Sequence, residues 1–142
     1  MPTAEAALFS ILTTGSPNAV AAIVGTRVYP DVLPQGVTYP AIRVQRISTA
    51  RAQFRVLARS GGKATRQQPR FQIDSWATTK TGALALADAV RATLDAFSGS
   101  AGGVTIDQAW IEDEGADHEE GVGPDGSDVY RVRQDYFISI AE

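Results

Sequence analysis

The stretch over residues 69–99 constrains the fold most, because it predicts a strand that leads directly into a long helix. Phe71 and Ile73 alternate with polar residues, and this period of two is typical of a strand whose two faces meet different surroundings. Trp76 is the one apolar residue on the polar side of this alternation. The pattern predicts a strand over residues 70–77.

The apolar spacing changes after this strand. Thr78 or Thr79 can supply an N-cap hydroxyl, and the residues that follow recur at intervals of three and four, which indicates one apolar helical stripe. Gly99 stands where a left-handed C-cap residue is expected. We therefore predict a helix over residues 79–97 with a buried stripe formed by Ala83, Leu86, Val90, Leu94 and Phe97.

Near the start of the chain, the residue pattern predicts two short helices. Residues 3–14 place Ala4, Ala7, Leu8, Ile11 and Leu12 on one helical face. A second helical piece is expected over residues 18–24, with Gly25 as its end. Prolines limit the next part to a brief strand at Arg27 to Tyr29 inside an ordered loop.

Three further strands are predicted. Residues 41–49 alternate until Ile47, which suggests a strand with a bulge or a twist. Residues 104–112 predict the second of these strands. Residues 129–140, which show the clearest alternation in the chain, predict the third. Helices first, and then strands around one long helix, indicate an α+β fold with an antiparallel (mixed) sheet of about four strands and helices packed on one face.

Composition fits one domain over residues 1–142. The chain is 44% hydrophobic, which suffices for a core, and it has no cysteine, which excludes disulfides, thiolate metal sites and a cysteine nucleophile. No basic leader and no apolar run of about 20 residues is present, so we expect a soluble protein with no membrane partner.

The net charge of −3 hides two blocks of opposite sign. No acid lies between Asp31 and Asp74, and eight of the thirteen basic residues fall there: Arg43, Arg46, Arg51, Arg55, Arg59, Lys63, Arg66 and Arg70. Residues 51–68 are too polar to be packed on both faces, so we expect a projecting basic hairpin arm. Its partner is either nucleic-acid phosphate or acidic protein surface, or it is a solvated arm without a partner.

The second block is acidic. No lysine or arginine lies between Arg91 and Arg131, and we expect a glycine-rich acidic loop over residues 113–127. His118, the only histidine, lies among its carboxylates and could bind a divalent cation, but a solvated loop is favoured because the spacing of a calcium loop is absent.

Two glycine-rich stretches resemble phosphate-binding motifs, but neither meets the requirements of such a motif. GVGPDG at residues 121–126 has no helix following it and an acidic flank, and SGGKAT at residues 60–65 lacks the upstream glycine and has Ala64 where a magnesium-binding hydroxyl is needed. No residue set indicates a nucleophile with its base. We therefore expect no enzyme activity, no cofactor and no metal site.

Three stretches together resemble a known family: GTRVYPDVLPQGVTYPAIRVQRIS from Gly25, RFQIDSWATTKTGALALADAVRATLDAF from Arg70, and DVYRVRQDYFISI from Asp128. They are similar to the tail-completion, or tail-terminator, proteins of long-tailed bacteriophages. The resemblance covers nearly the whole chain. The acidic loop is where this sequence departs most from the family pattern.

The resemblance implies a structural virion protein without catalysis. It implies a homo-oligomeric ring, commonly a hexamer, which caps the tail tube and joins it to the head-tail connector at the head-proximal end of the tail. Assembly would take place in the host cytoplasm. The partners would be other copies of the chain, the tail tube protein and the connector, with contact to passing DNA, without sequence specificity, as a further possibility.

The two charge blocks are our candidate partner-binding surfaces, since a head-to-tail ring needs two different contact surfaces on each subunit. A nucleic-acid-binding module that uses the basic arm is the alternative function. The candidate residues are Arg51, Arg55, Arg59, Lys63, Arg66, Glu112, Asp113, Glu114, Asp117, Glu119 and Glu120.

Overall fold

The structure, a computed structural model, describes residues 4–13, 19–34, 36–53, 65–101, 103–119 and 128–141. The elements within these ranges are, in chain order, α1 (Ala4–Thr13), α2 (Ala19–Val24), β1 (Val28–Pro30), β2 (Ala41–Gln53), β3 (Thr65–Ala77), α3 (Lys80–Leu94), β4 (Gly99–Ala101), β5 (Val104–Glu119) and β6 (Val129–Ala141). Among these helices, none is long and apolar enough to cross a membrane.

The strands form one mixed sheet in the order β1-β2-β3-β6-β5-β4. β1 runs parallel to β2, and every other neighbouring pair is antiparallel. The predicted α+β class and mixed sheet are confirmed. The sheet has six strands instead of about four, because a three-residue strand lies at each edge. β1 corresponds to the brief strand predicted at Arg27 to Tyr29, whereas β4 was not predicted.

The start of α3 shows which threonine caps the helix. The Thr79 hydroxyl accepts a hydrogen bond from the Gly82 backbone N–H at 3.0 Å, and Thr79 itself has extended backbone angles. A side chain at Gly82 would place its Cβ only 2.8 Å from the Thr79 hydroxyl oxygen. A side chain at this position would therefore displace the capping hydroxyl. Leu86, Val90 and Leu94 are fully buried, as predicted.

The predicted end of this helix was wrong. α3 ends at Leu94, and Gly99 begins β4 instead of capping the helix. Ala96 takes the positive φ of 62°, and its N–H donates to the Ala109 carbonyl at 2.8 Å. The helix ends early because β5 offers these backbone partners. Phe97, predicted on the helical stripe, lies beyond the helix and packs half-buried against the core.

The N-terminal helices agree with the predictions. In α1 the buried residues are Ala4, Ala7, Leu8, Ile11 and Leu12, the face that the spacing indicated. α2 ends at Gly25, whose φ of +60° and hydrogen bond to the Ala21 carbonyl at 2.8 Å close the helix. Both helices belong to the same core as the sheet.

The strands are longer than predicted. β2 and β3 remain paired as far as Gln53 and Thr65, with the predicted bulge between Arg46 and Ser48. The first and last parts of the predicted arm therefore continue the sheet. Residues 54–64 lie outside the described residues, so the projection of the arm stays a prediction.

The loop assignment was wrong for the first seven residues of the predicted acidic loop. Residues 113–119 are the last part of β5 and pair with β6. The acids do not oppose this pairing because the described side chains, Asp113, Glu114 and Asp117, are exposed and reach solvent. Residues 120–127 lie outside the described residues.

The main core lies between the helices and the inner face of the sheet, and a smaller cluster of Ala77, Ala83, Ala87 and Val132 also joins α3 to β3 and β6. The largest fully buried members of the main core include Leu8 of α1, Leu94 of α3, Phe71 of β3 and Ile138 of β6. Alternation along β3 sends Phe71 and Ile73 into this core and Asp74 to the opposite side. The helices thus cover one face of the sheet, and the opposite face can carry charged and polar side chains.

Candidate interaction surface

We call the sheet face opposite the helices the outer face. Strand register brings its side chains together, because residues directly opposite one another on neighbouring strands point to the same side. The outer face is formed by Arg43, Arg70, Gln72, Asp74, Trp76, Trp110, Asp117, Arg131, Asp135 and Phe137.

Asp74 is the centre of the outer face. Its side chain has no solvent exposure although it lies away from the core. It forms an ion pair with Arg43, its partner in the register, and accepts hydrogen bonds from Gln72 Nε2 at 3.0 and 3.2 Å. Arg131 Nη1 lies 4.0 Å from the same carboxylate. Two arginines therefore share one buried negative charge.

Arg131 links this centre to the edge of the sheet. Its Nη2 donates to Asp117 Oδ2 at 2.7 Å, and its guanidinium carbon lies 5.4 Å from the centre of the Trp76 ring. The hydrogen bond and the positive charge of Arg131 lower the pKa of Asp117 below its ordinary value. Trp76 is only 7% exposed, because the guanidinium covers it.

A second group lies further along the same face. Arg70 donates to Asp135 at 2.7 Å, and the hydrogen bond and charge of Asp135 raise the pKa of Arg70. The Arg70 guanidinium carbon lies 5.7 Å from the Phe137 ring centre, and Phe137 stacks on Trp110 with centroids 5.6 Å apart. Charge pairs and aromatic rings thus cover the outer face in alternation, and such stacked arginines combine ionic and cation-π attraction.

Glu114 connects β5 to the helical side instead. Its Oε1 accepts from Arg91 Nη1 at 2.9 Å and from Gln134 Nε2 at 2.7 Å. Gln134 is fully buried and also donates to the Ala87 carbonyl at 3.0 Å. Next to it, burial raises the pKa of the Tyr136 phenol well above its usual range. These contacts attach α3 to the last strand.

The structure separates the predicted partner-binding residues. Glu112, Asp113, Glu114 and Asp117 lie exposed on β5. Arg51 and Arg66 lie in β2 and β3 and fall one register pair apart, at Arg51↔Gln67 and Ala52↔Arg66. Glu119 ends β5. Arg55, Arg59, Lys63 and Glu120 lie outside the described residues.

Three arginines of the basic block are already paired within the chain. Arg43 pairs with Asp74, Arg70 pairs with Asp135, and Arg46 pairs with Glu5 of α1. Phosphate binding by these three arginines would require breaking such pairs. The described residues thus give no support to the nucleic-acid-binding alternative.

No group of three or more histidine, cysteine, aspartate or glutamate residues converges into a metal site within the described ranges. A cleft of about 130 Å³ lies beside the end of β5. It is lined by Lys80, Ala83, Leu84, Ala116, Asp117, Tyr130, Arg131 and Val132. Its lining is mostly apolar and offers no nucleophile with a base.

Sequence reasoning missed the outer-face network. It placed Asp74 and Trp76 on the polar side of the strand, and it did not predict that both are buried there. One signal for this network was present in the sequence. An aspartate in the middle of an apolar strand lies two residues from a tryptophan, so both side chains are on the same face of the strand. Opposite charges of matching parity on the last strand, such as Arg131, could have supplied its partner.

The described residues form a small α+β unit, with helices on one face of a mixed sheet and a network of charged and aromatic side chains on the other. The family model described as "Tail completion protein gp17" matches residues 6–140. The chain therefore belongs to the tail completion protein family. It is a structural tail protein and not an enzyme, as the sequence indicated.

A solved structure shares the fold. A chain from a structure titled "Virion of native gene transfer agent (GTA) particle" is 19% identical, with a TM-score of 0.60. The likeness covers 98% of this chain and 95% of that chain. No curated protein matches the sequence significantly.

Proposed function

We propose that the chain is a ring-forming tail terminator subunit, which caps the phage tail tube and joins it to the head-tail connector. The observation that carries this proposal is the family match over residues 6–140. The fold likeness along the whole chain to a component of a gene transfer agent virion supports it. The subunit would act at the head-proximal end of the tail, after assembly in the host cytoplasm.

The proposed partners follow from this position. Copies of the chain form a ring, with a hexamer as the expected size, and the ring contacts the tail tube protein on one side and the connector on the other. Two such different contacts suit a subunit whose sequence carries separate basic and acidic blocks.

Negative-stain electron microscopy of the purified chain mixed with tail tubes tests the proposal. We expect rings, and tubes capped at one end. Tubes that stay open at both ends, together with a chain that remains monomeric, would overturn it.

The basic arm over residues 51–68 is the part that we propose to contact acidic protein surface. Charge reversal by Arg55→Glu and Arg59→Glu should weaken ring or tube association while the chain stays folded, because many weak charge contacts fix orientation. Pelleting with tail tubes across a salt series measures this. Association that ignores both salt and the two substitutions would contradict the role of the arm.

A further inference from the structure

Two long segments of sheet edge lack a strand partner among the described residues. β1 pairs with β2 only at Ile42 to Val44, and past Val44, whose carbonyl accepts from the Asp31 N–H, no described backbone pairs with the outside of residues 45–53. On the other side, β4 and the turn after α3 cover β5 as far as Ile111, whose N–H donates to Asp95. Unpaired backbone groups at a sheet edge are a template for another strand.

The remaining edge segments are poor templates. β1 spans three residues and ends in Pro30, which has no N–H to donate. β4 is equally short, with the sequence Gly-Ser-Ala. The two usable edges are therefore residues 45–53 of β2, which we call the β2 edge, and residues 112–119 of β5, which we call the β5 edge.

The two edges carry opposite charge. The β5 edge contains five acids and no lysine or arginine, whereas the β2 edge contains Arg46 and Arg51 and no acid. Within the chain Glu114 and Asp117 pair with Arg91 and Arg131, and Arg46 pairs with Glu5. The opposite charges on which the pairing of the edges rests are therefore those of Glu112, Asp113 and Arg51. Like charges opposite one another destabilise a strand pair and opposite charges stabilise it. Charge thus disfavours pairing of either edge with itself and favours pairing of one edge with the other.

Exposed apolar side chains lie beside both edges. Ile47 at the bulge of β2 is 47% exposed, and Val32, which follows the end of β1, is 75% exposed. Leu84, 42% exposed, lines the cleft beside the β5 edge together with Ala116. Each edge therefore offers apolar surface as well as backbone groups and charge.

We propose that the β2 edge of one copy pairs with the β5 edge of the next copy, so that one sheet continues from subunit to subunit. This inference rests on the proposed function and names the contact that holds the ring together. The contact joins two different surfaces, so it is head-to-tail and can close into a ring.

The sheet order predicts the direction of this pairing. Strands alternate in direction along β2-β3-β6-β5, so a neighbour in the same orientation presents its β2 antiparallel to β5. A register with Ile47 opposite Ala116 brings Arg51 opposite the Glu112 position, with Asp113 opposite the neighbouring Ala50. The charges and the apolar groups of the two edges then match in a single register.

The two edges lie at opposite ends of the strands. Glu119 pairs with Val129 beside the start of β2, whereas the β2 edge continues toward Gln53. The neighbour is therefore displaced along the strand direction. Closing the ring requires strands that are inclined to its axis, as strands in closed barrels are.

Cysteine cross-linking tests the contact directly, since the chain has no cysteine of its own. Within one copy β2 and β5 are three strand spacings apart, about 14 Å, which exceeds the roughly 4.4 to 6.8 Å between the Cα atoms of a disulfide. A double variant with Ile47→Cys and Ala116→Cys can therefore form this bond only between copies. We expect a ladder of cross-linked oligomers on a non-reducing gel.

Single variants are the matched controls. Ile47→Cys or Ala116→Cys alone should give little cross-linked product, because neither edge meets itself. Dimers from either single variant, as abundant as those from the double variant, would overturn the head-to-tail pairing. So would a double variant that assembles into rings without cross-linking.

Charge exchange gives a second measurement. Glu112→Lys with Asp113→Lys should abolish rings in analytical ultracentrifugation, and so should Arg51→Glu. A mixture of the two variants should restore rings, since each altered edge then meets its complement. Asp88→Lys on the exposed side of α3 is the control and should assemble normally, with folding of each variant checked by thermal unfolding.

The failure of this inference is distinguishable from failure of the proposed function. Variants of both edges that still form rings and cap tubes would overturn the edge contact and leave the tail-terminator function intact. An unaltered chain that forms no ring and caps no tube would overturn both.

Discussion

Asp74 is a charged residue in the middle of a central strand, yet its side chain is fully buried by the residues around it. Arg43, Arg131 and Gln72 surround the carboxylate. Removing one partner of a buried pair leaves the other charges without compensation. Asp74 therefore holds Arg43, Gln72 and Arg131 together at the centre of the outer face.

We expect Asp74→Asn to lower the free energy of unfolding by about 3 kcal/mol, measured by chemical denaturation. Asp117→Asn is the matched control, because Asp117 also pairs with Arg131 but is about half exposed. The control should cost less than about 1 kcal/mol, as exposed pairs do. Equal losses in the two variants would contradict a central role for Asp74.

The burial of Tyr136 leads us to predict that the free energy of unfolding falls at high pH. Its folded-state pKa is raised by burial, so the unfolded chain releases the phenolic proton first as pH rises. Stability is therefore lost above the unfolded pKa of about 10. Tyr136→Phe removes this loss, and its free energy of unfolding should fall less steeply than that of the unaltered chain between about pH 9 and pH 11.

The same substitution should be tolerated at neutral pH. The buried Tyr136 hydroxyl finds no hydrogen-bond partner among the described residues. Phenylalanine removes an unsatisfied polar group, so stability should stay equal or rise by about 1 kcal/mol. A loss of more than about 2 kcal/mol in urea unfolding at neutral pH would show that the hydroxyl is satisfied.

At the scale of elements, α3 depends on its N-cap. The Thr79 hydroxyl satisfies the Gly82 N–H, and Thr78 beside it is exposed and makes no cap. Thr79→Ala should therefore cost about 1 kcal/mol, whereas Thr78→Ala should be nearly neutral. Thermal unfolding of the two variants shows which threonine is the N-cap. Equal shifts of the melting temperature would refute the assignment of the cap to Thr79.

At the scale of the whole molecule, one core joins the helices to the sheet. Leu94 of α3 is fully buried in the same cluster as Leu8 of α1 and Ile138 of β6. Trp76 and Trp110 lie on the outer face, at the other side of the sheet. If residues 1–142 fold as one domain, the two sides must unfold together.

Leu94→Ala tests this expectation with two probes. The substitution should cost about 2 to 5 kcal/mol and shift the transitions seen by circular dichroism and by tryptophan fluorescence equally. Asp88→Ala, at an exposed site, should shift neither by much. Separate transitions for the two probes would show that the helical layer and the outer face unfold independently.

Periodicity in the sequence determined the elements and their buried sides. The buried face of α1, the stripe of α3, the bulge near Ile47 and the alternation of β6 all follow from spacing, because a helix or strand must turn its apolar residues to one side. The family was indicated by the resemblance of three stretches, and of their order, to a known family. These features are local, so a linear reading is sufficient for them.

Strand pairing in the folded chain determined the features that the sequence pattern did not predict. Residues 113–119 look like an acidic loop, but β6 supplies a partner for every one of their backbone positions from 113 to 119, and exposed acids are tolerated at an edge. Asp74 looks solvated, but register brings Arg43 and Arg131 over it. A linear pattern cannot show which residues become neighbours across strands, and those neighbours determine whether a charge is buried, paired or available to a partner.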